Sequence, residues 1–140
     1  MTTFKSMPLH RKLICLLIVW STGCGADEPP LPADLQQTWA AFRTAVQAGD
    51  AEGVARISAF PIRANDFGGK IVSASVLEQR FARIFGDAVR QCVAQKRPQS
   101  MEGYPGYILD CDNDNLAIGF GFELKRGNYR FTYIDNANAE

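Results

Sequence analysis

Apolar positions along the chain change their period twice, and the changes divide it into three parts. An unbroken apolar run, Leu13 to Trp20, follows the basic residues Lys5, Arg11 and Lys12. Beyond it, Leu35, Trp39, Phe42 and Val46 recur at steps of four, three and four, which places them on one stripe of a helix starting near Ala33 or Asp34. Gly49 ends that helix, and Asp50 is placed to cap a second, shorter one that carries Val54 and Ile57 and stops before Phe60-Pro61. Ile62 to Val72 reads as a short hairpin or loop around Asp66-Phe67-Gly68-Gly69. Ser75 with Glu78 three residues on forms a capping box for a third helix. Its inner face is Leu77, Phe81 and Ile84, its end is marked by Gly86 and Asp87, and Arg80, Arg83 and Arg90 fall on or near its solvated outer face.

In the last third the period drops to two. Tyr107, Leu109 and Cys111 alternate, then Leu116, Ile118, Phe120 and Phe122, then Tyr129, Phe131 and Tyr133, with Asn113-Asp114-Asn115 and Arg126-Gly127-Asn128 as turns. This predicts a three-stranded antiparallel meander. On its middle strand the opposite face is Ala117, Gly119 and Gly121, a smooth patch open to close approach by a helix, another backbone or a ligand. Three helices packed on a curved antiparallel sheet make an α+β fold, one domain over residues 33–140.

The leading run has the order of a secretory signal, basic residues and then apolar ones, and predicts a signal peptide over residues 1–23. Its eight apolar residues, Leu13 to Trp20, fall short of the ~20 that a helix needs to span a bilayer. The following Ser21-Thr22-Gly23-Cys24-Gly25 resembles the lipobox of bacterial lipoproteins. That resemblance implies lipidation of Cys24, which becomes the mature N-terminus, and the absence of Asp after the cysteine implies the outer membrane. Ser21 stands where the lipobox usually has Leu, and Cys24-Gly25-Ala26 offers a second site, cut after Ala26, that releases a soluble periplasmic protein. Residues 24–32 carry acid and proline and read as a short extended tether.

Charge changes this picture once the leader is removed. The 15 basic and 15 acidic residues of the 140-residue chain become 12 against 15, a net charge of −3. His10, the single histidine, leaves with the leader, which excludes Ser-His-Asp and Cys-His catalysis, His-ligated zinc and imidazole acid/base chemistry from the mature chain. No block of basic residues marks a nucleic-acid binder. Cys15 leaves too and Cys24 is accounted for by the lipid, so Cys92 and Cys111 remain and are expected to form one disulfide in an oxidising compartment, the alternative being two buried thiols. Asp110-Cys111-Asp112-Asn113-Asp114-Asn115 has the alternate acids of a calcium loop. Asn115 occupies the place of the required Gly and Gly121 that of the bidentate Glu, so the segment reads as a turn, and no metal or cofactor is expected.

Trp39-x-x-Phe42, Val46, Gly49-Asp50, Val54, Ile57, Phe60-Pro61 and the helix Leu77 to Phe85 resemble the helical part of small NTF2-like (SnoaL-like) bacterial proteins, over residues 33–135. The resemblance implies a sheet wrapped around the first helix as a cone whose interior binds a small molecule or is simply packed. It also implies, for an enzyme without histidine, proton transfer by an Asp with a Tyr, with Tyr104, Tyr107, Tyr129 and Tyr133 available as donors and no acid assigned. Two functions are then open. The expected one is an envelope-anchored or periplasmic, non-enzymatic binding domain of the inhibitor, immunity or assembly-factor kind, using Trp39, Phe42, Tyr129 and Tyr133 toward an envelope protein or a small apolar ligand. The alternative is a pocket enzyme acting on a small apolar molecule. They differ in whether Trp39 and Phe42 fill the space between the first helix and the sheet.

Overall fold

The computed structural model describes residues 28–136; the leader, Cys24 and both cleavage sites lie outside them. Among the described residues four α-helices lie on a mixed five-stranded sheet. Helix α1 spans Ala33–Ala48 and buries Leu35, Trp39, Phe42 and Val46, the expected stripe, together with Ala45. Its end is a Schellman turn: Gly49 at φ 67° donates to Val46 O, and Asp50 N donates to Ala45 O. The Asp50 carboxylate then accepts from Gly53 N at 2.9 Å and starts α2, Ala51–Arg56. Two helices therefore meet at a corner that Gly49-Asp50 builds alone.

The predicted loop is closed by a paired bridge between Ile62 and Ile71, with a 3-10 turn at Asn65–Phe67 and left-handed Gly68 and Gly69 inside it. Helix α3, Ala74–Ile84, is capped by Ser73, not Ser75: the Ser73 hydroxyl accepts from Val76 N at 3.3 Å. Extended backbone at Ser73 starts the helix two residues earlier than the box predicts. Arg80 and Arg90 do more than cover a solvated face, since they donate to Phe67 O at 2.8 Å and Phe85 O at 3.1 Å, while Arg83 lies over the Phe67 ring. Gly86-Asp87 does not end the helical part either. It opens α4, Asp87–Gln95, which buries Val89, Cys92 and Val93.

Strands β1 (Ser58–Arg63), β2 (Gln99–Ser100), β3 (Gly106–Asp110), β4 (Ile118–Lys125) and β5 (Asn128–Asn136) pair in the order β1-β5-β4-β3-β2. The expected meander is β3-β4-β5. The sheet is mixed, not antiparallel, because β1 adds to β5 in parallel. Pro61, which has no N–H to give to a ladder, is tolerated because β1 is an edge strand.

The space between α1 and the sheet is filled. Phe42 has no exposed surface, and its ring centroid lies 5.1 Å from those of Phe122 and Phe131 and 5.8 Å from that of Phe85. Trp39 packs edge-on against Phe122 at 6.0 Å. Cys92 and Cys111 form a disulfide, with their Cα atoms 5.7 Å apart, that ties α4 to the chain leaving β3. The last residues of the expected tether are held by the domain: Arg97 pairs with Glu28 at 2.9 Å and donates to Pro29 O, Gln99 donates to Glu28, and Leu31 is buried. No helix among the described residues is long and apolar enough to cross a membrane.

Candidate functional site

Strict alternation predicts Tyr129, Phe131 and Tyr133 on one face of β5, but the pairing with β4 slips by one residue. Phe122 lies opposite Phe131 and Gly121 opposite Tyr133, so Thr132 is an extra residue in the ladder. A bulge of this kind re-aims the side chains beyond it. Tyr129 stays on the helix side, edge-on to Tyr107 at 5.7 Å, and its carbonyl accepts from Thr38. Tyr133 is turned to the outer face, away from the helices. The four residues expected to bind together are thus separated: Trp39 and Phe42 are in the core, Tyr129 is at its edge, and only Tyr133 belongs to the outer face.

On that face the glycine patch is already occupied. Tyr104 lies across Gly121 so closely that a Cβ there would collide with its hydroxyl, and it stacks on Tyr133 with centroids 6.0 Å apart. The Tyr104 hydroxyl donates to Glu123 Oε1 at 2.9 Å. Glu123 follows Gly121 by two residues on β4 and so points the same way. Its side chain is only 8% exposed, and it is paired with Lys125 Nζ at 2.7 Å and with Arg63, whose guanidinium also lies 4.8 Å over the Tyr133 ring. Sequence reasoning missed Glu123, Arg63 and the place of Tyr104. The one local signal was the period of two, Gly119, Gly121, Glu123, Lys125.

The electrostatics of this cluster favour ionised Glu123. Burial is the largest influence and resists ionisation, but hydrogen bonds from Lys125 and Tyr104 and the charges of Arg63 and Lys125 together outweigh it and hold the carboxyl below its ordinary range. Burial pushes the Tyr104 phenol well up, with the Glu123 carboxylate adding to the rise and the neighbouring Thr132 hydroxyl opposing it. Tyr133 is raised for the same first reason, burial, and by Asp135. A carboxylate this well held is a weak proton acceptor, and a phenol this well protected is a hydrogen-bond donor at every physiological pH.

Around the cluster β1, β5 and the tip of the β4–β5 hairpin wall an open groove of about 1060 Å³. Six of the twelve basic residues between Glu28 and Asn136 face it, namely Arg56, Arg63, Lys70, Lys125, Arg126 and Arg130, and Glu123 is its one acid. The opposite end of the same sheet face is acidic, with Asp110 and Asp135 both in register with Gly119. Described residues 28–136 carry 13 acidic side chains against those 12 basic ones, so the groove is a segregation of charge, not an excess. In the acidic turn, Asp110 and Asn113 side-chain oxygens accept from Asp112 N and Asn115 N, each at 2.9 Å, which is Asx-turn geometry. Among the described residues no group of three or more Cys, Asp or Glu side chains is arranged to hold a metal ion. Comparison of the chain with family models, with curated proteins and with solved structures gave no match.

Proposed function

We propose that the chain is an exported, non-enzymatic binding domain whose recognition surface is the basic groove on the outer face of the sheet. The observation that carries this reading is the gathering of six cations around one neutralising carboxylate in an open groove. Two further points support it. The interior, where the NTF2-like resemblance would put a ligand, is filled by Phe42, Phe85, Phe120, Phe122 and Phe131, all without exposed surface. The carboxylate and phenol in contact, Glu123 and Tyr104, sit outside that interior with pKa values moved apart in the direction that opposes proton transfer. Trp39 and Phe42 then serve folding, and of the expected contacts Tyr133 is the one that shares the groove's sheet face.

Export rests on the leader and is consistent with the Cys92–Cys111 bridge, which belongs to an oxidising compartment. Lipidation of Cys24 places the domain at the outer membrane facing the periplasm; cleavage after Ala26 leaves it soluble there. Replacing Cys24 with Ser should abolish palmitate labelling and leave uncleaved precursor, and normal maturation of that variant favours the second route. For the binding reading, a photo-cross-linking residue at Asn128, which is exposed, lines the groove and lies opposite Lys125 on the outer face, should trap a partner in the envelope fraction. The same residue at Gln36, on the other side of the sheet, should not. Turnover of a co-purifying small molecule that is lost when Glu123 is replaced, with folding intact, would favour the pocket enzyme instead.

A further inference from the structure

Resting on the groove as a binding surface, we propose that its occupant is an acidic, partly apolar segment of another polypeptide, laid in extended form along β1 and the β4–β5 hairpin. Three of the groove's cations are already paired: Arg56 with Asp50 and Glu52, and Arg63 and Lys125 with the single carboxylate of Glu123. Lys70, Arg126 and Arg130 have no carboxylate within 4.0 Å among the described residues. Arg130 is also held in place, since it donates to Arg56 O at 3.0 Å, so its remaining donors are oriented before any ligand arrives. Uncommitted cations in a concave site attract anionic ligands and select against cationic ones.

Shape and wall chemistry choose among anions. At about 1060 Å³ the groove is far larger than one inorganic anion needs, given that a water molecule takes up about 30 Å³ of liquid. Between the cations it presents Phe60, Pro61, Pro105 and the half-exposed Leu124. A phosphate ion makes no use of those apolar surfaces, whereas a chain with alternating acidic and apolar side chains places one kind on the cations and the other on the walls. A bilayer surface is broad and reaches the rim at Leu124 and Arg126, but it cannot follow the groove down to Glu123. A narrow polypeptide can.

The test uses the processed full chain and a fluorescent peptide of alternating glutamate and leucine, followed by anisotropy. Saturable binding is expected, weakened by salt, absent for the lysine–leucine counterpart, and reduced about tenfold by the double substitution Lys70→Glu and Arg126→Asn. Both positions are exposed, and Asn accepts the positive φ of Arg126, so the variant should keep the parent's thermal unfolding temperature. No binding of the peptide, or equal binding by the double variant, would overturn the proposal. So would saturable, charge-dependent binding to phosphatidylglycerol vesicles with the peptide inactive. A partner trapped at Asn128 that lacks an acidic segment refutes this inference while leaving the binding reading standing; failure of both peptide and cross-link removes the two together.

Discussion

Replacing Glu123 with Gln tests whether the outer-face cluster is a neutralised ion-pair network. The side chain is 8% exposed and holds Lys125 at 2.7 Å, Tyr104 at 2.9 Å and Arg63. Glutamine keeps the shape and can still accept from Tyr104, so the loss is that of two charge-assisted contacts, about 1.5 to 3 kcal/mol each in a sheltered setting. Arg63 and Lys125 are 50% and 47% exposed and can turn to water, which recovers much of that loss. About 2 kcal/mol remains, or about 1 M in the urea midpoint at an m-value of about 2 kcal/mol/M. The sign with pH comes from the lowered carboxyl. Its stabilisation is fully present above the unfolded value of about 4.3 and is lost as pH falls through the folded value, so parent and variant should converge in acid. Urea titrations at neutral pH and at successively lower pH measure both effects. A difference under about 0.5 kcal/mol at pH 7, or one that does not shrink in acid, refutes the account.

Phe42→Ala should cost about 3 to 5 kcal/mol, since the ring is fully buried among four other phenylalanines; calorimetry that finds the variant near parental stability would show the interior to be less filled than described. Replacing Cys92 and Cys111 together with Ser should cost about 3 kcal/mol, as expected for releasing a loop of 19 residues, and the folded parent should take up no thiol reagent until it is reduced. Tyr104 predicts the alkaline behaviour. A phenol whose folded value is raised contributes stability below the unfolded value of about 10 that is lost as pH rises through the folded one, so Tyr104→Phe should flatten the alkaline limb of a stability-against-pH curve.

Most of the helix side of the fold was legible because its signals are local. The stripe through Leu35, Trp39, Phe42 and Val46, the turn at Gly49 and the cap at Asp50 each involve residues within a few positions of one another. Helix α4 was hidden for a local reason as well: it comes after Gly86-Asp87, which reads as a stop, and it shows only Val89, Cys92 and Val93 as an apolar stripe. Strand β1 was hidden for a non-local one, because a short segment containing Pro61 becomes a strand only when β5, some seventy residues later, lies beside it. The site was the least legible part. Arg63, Tyr104 and Glu123 come from three distant segments, the bulge at Thr132 that brings Tyr133 to them breaks the alternation used to place it, and the hairpin cations Lys125, Arg126 and Arg130 meet Arg56, Arg63 and Lys70 only after the sheet is assembled.

The hold of Arg97 and Gln99 on Glu28 and Pro29 fixes where the polypeptide enters the domain, beside β2. Since β2 and β1 are the two edges of the sheet, four inter-strand steps of about 4.8 Å separate the point of entry from the strand that walls the groove, a lateral offset of about 19 Å. Anything attached through the preceding residues therefore joins the domain at one rim of the sheet. The groove is therefore carried at the far rim, and the described point of entry at Glu28 and Pro29 leaves it uncovered.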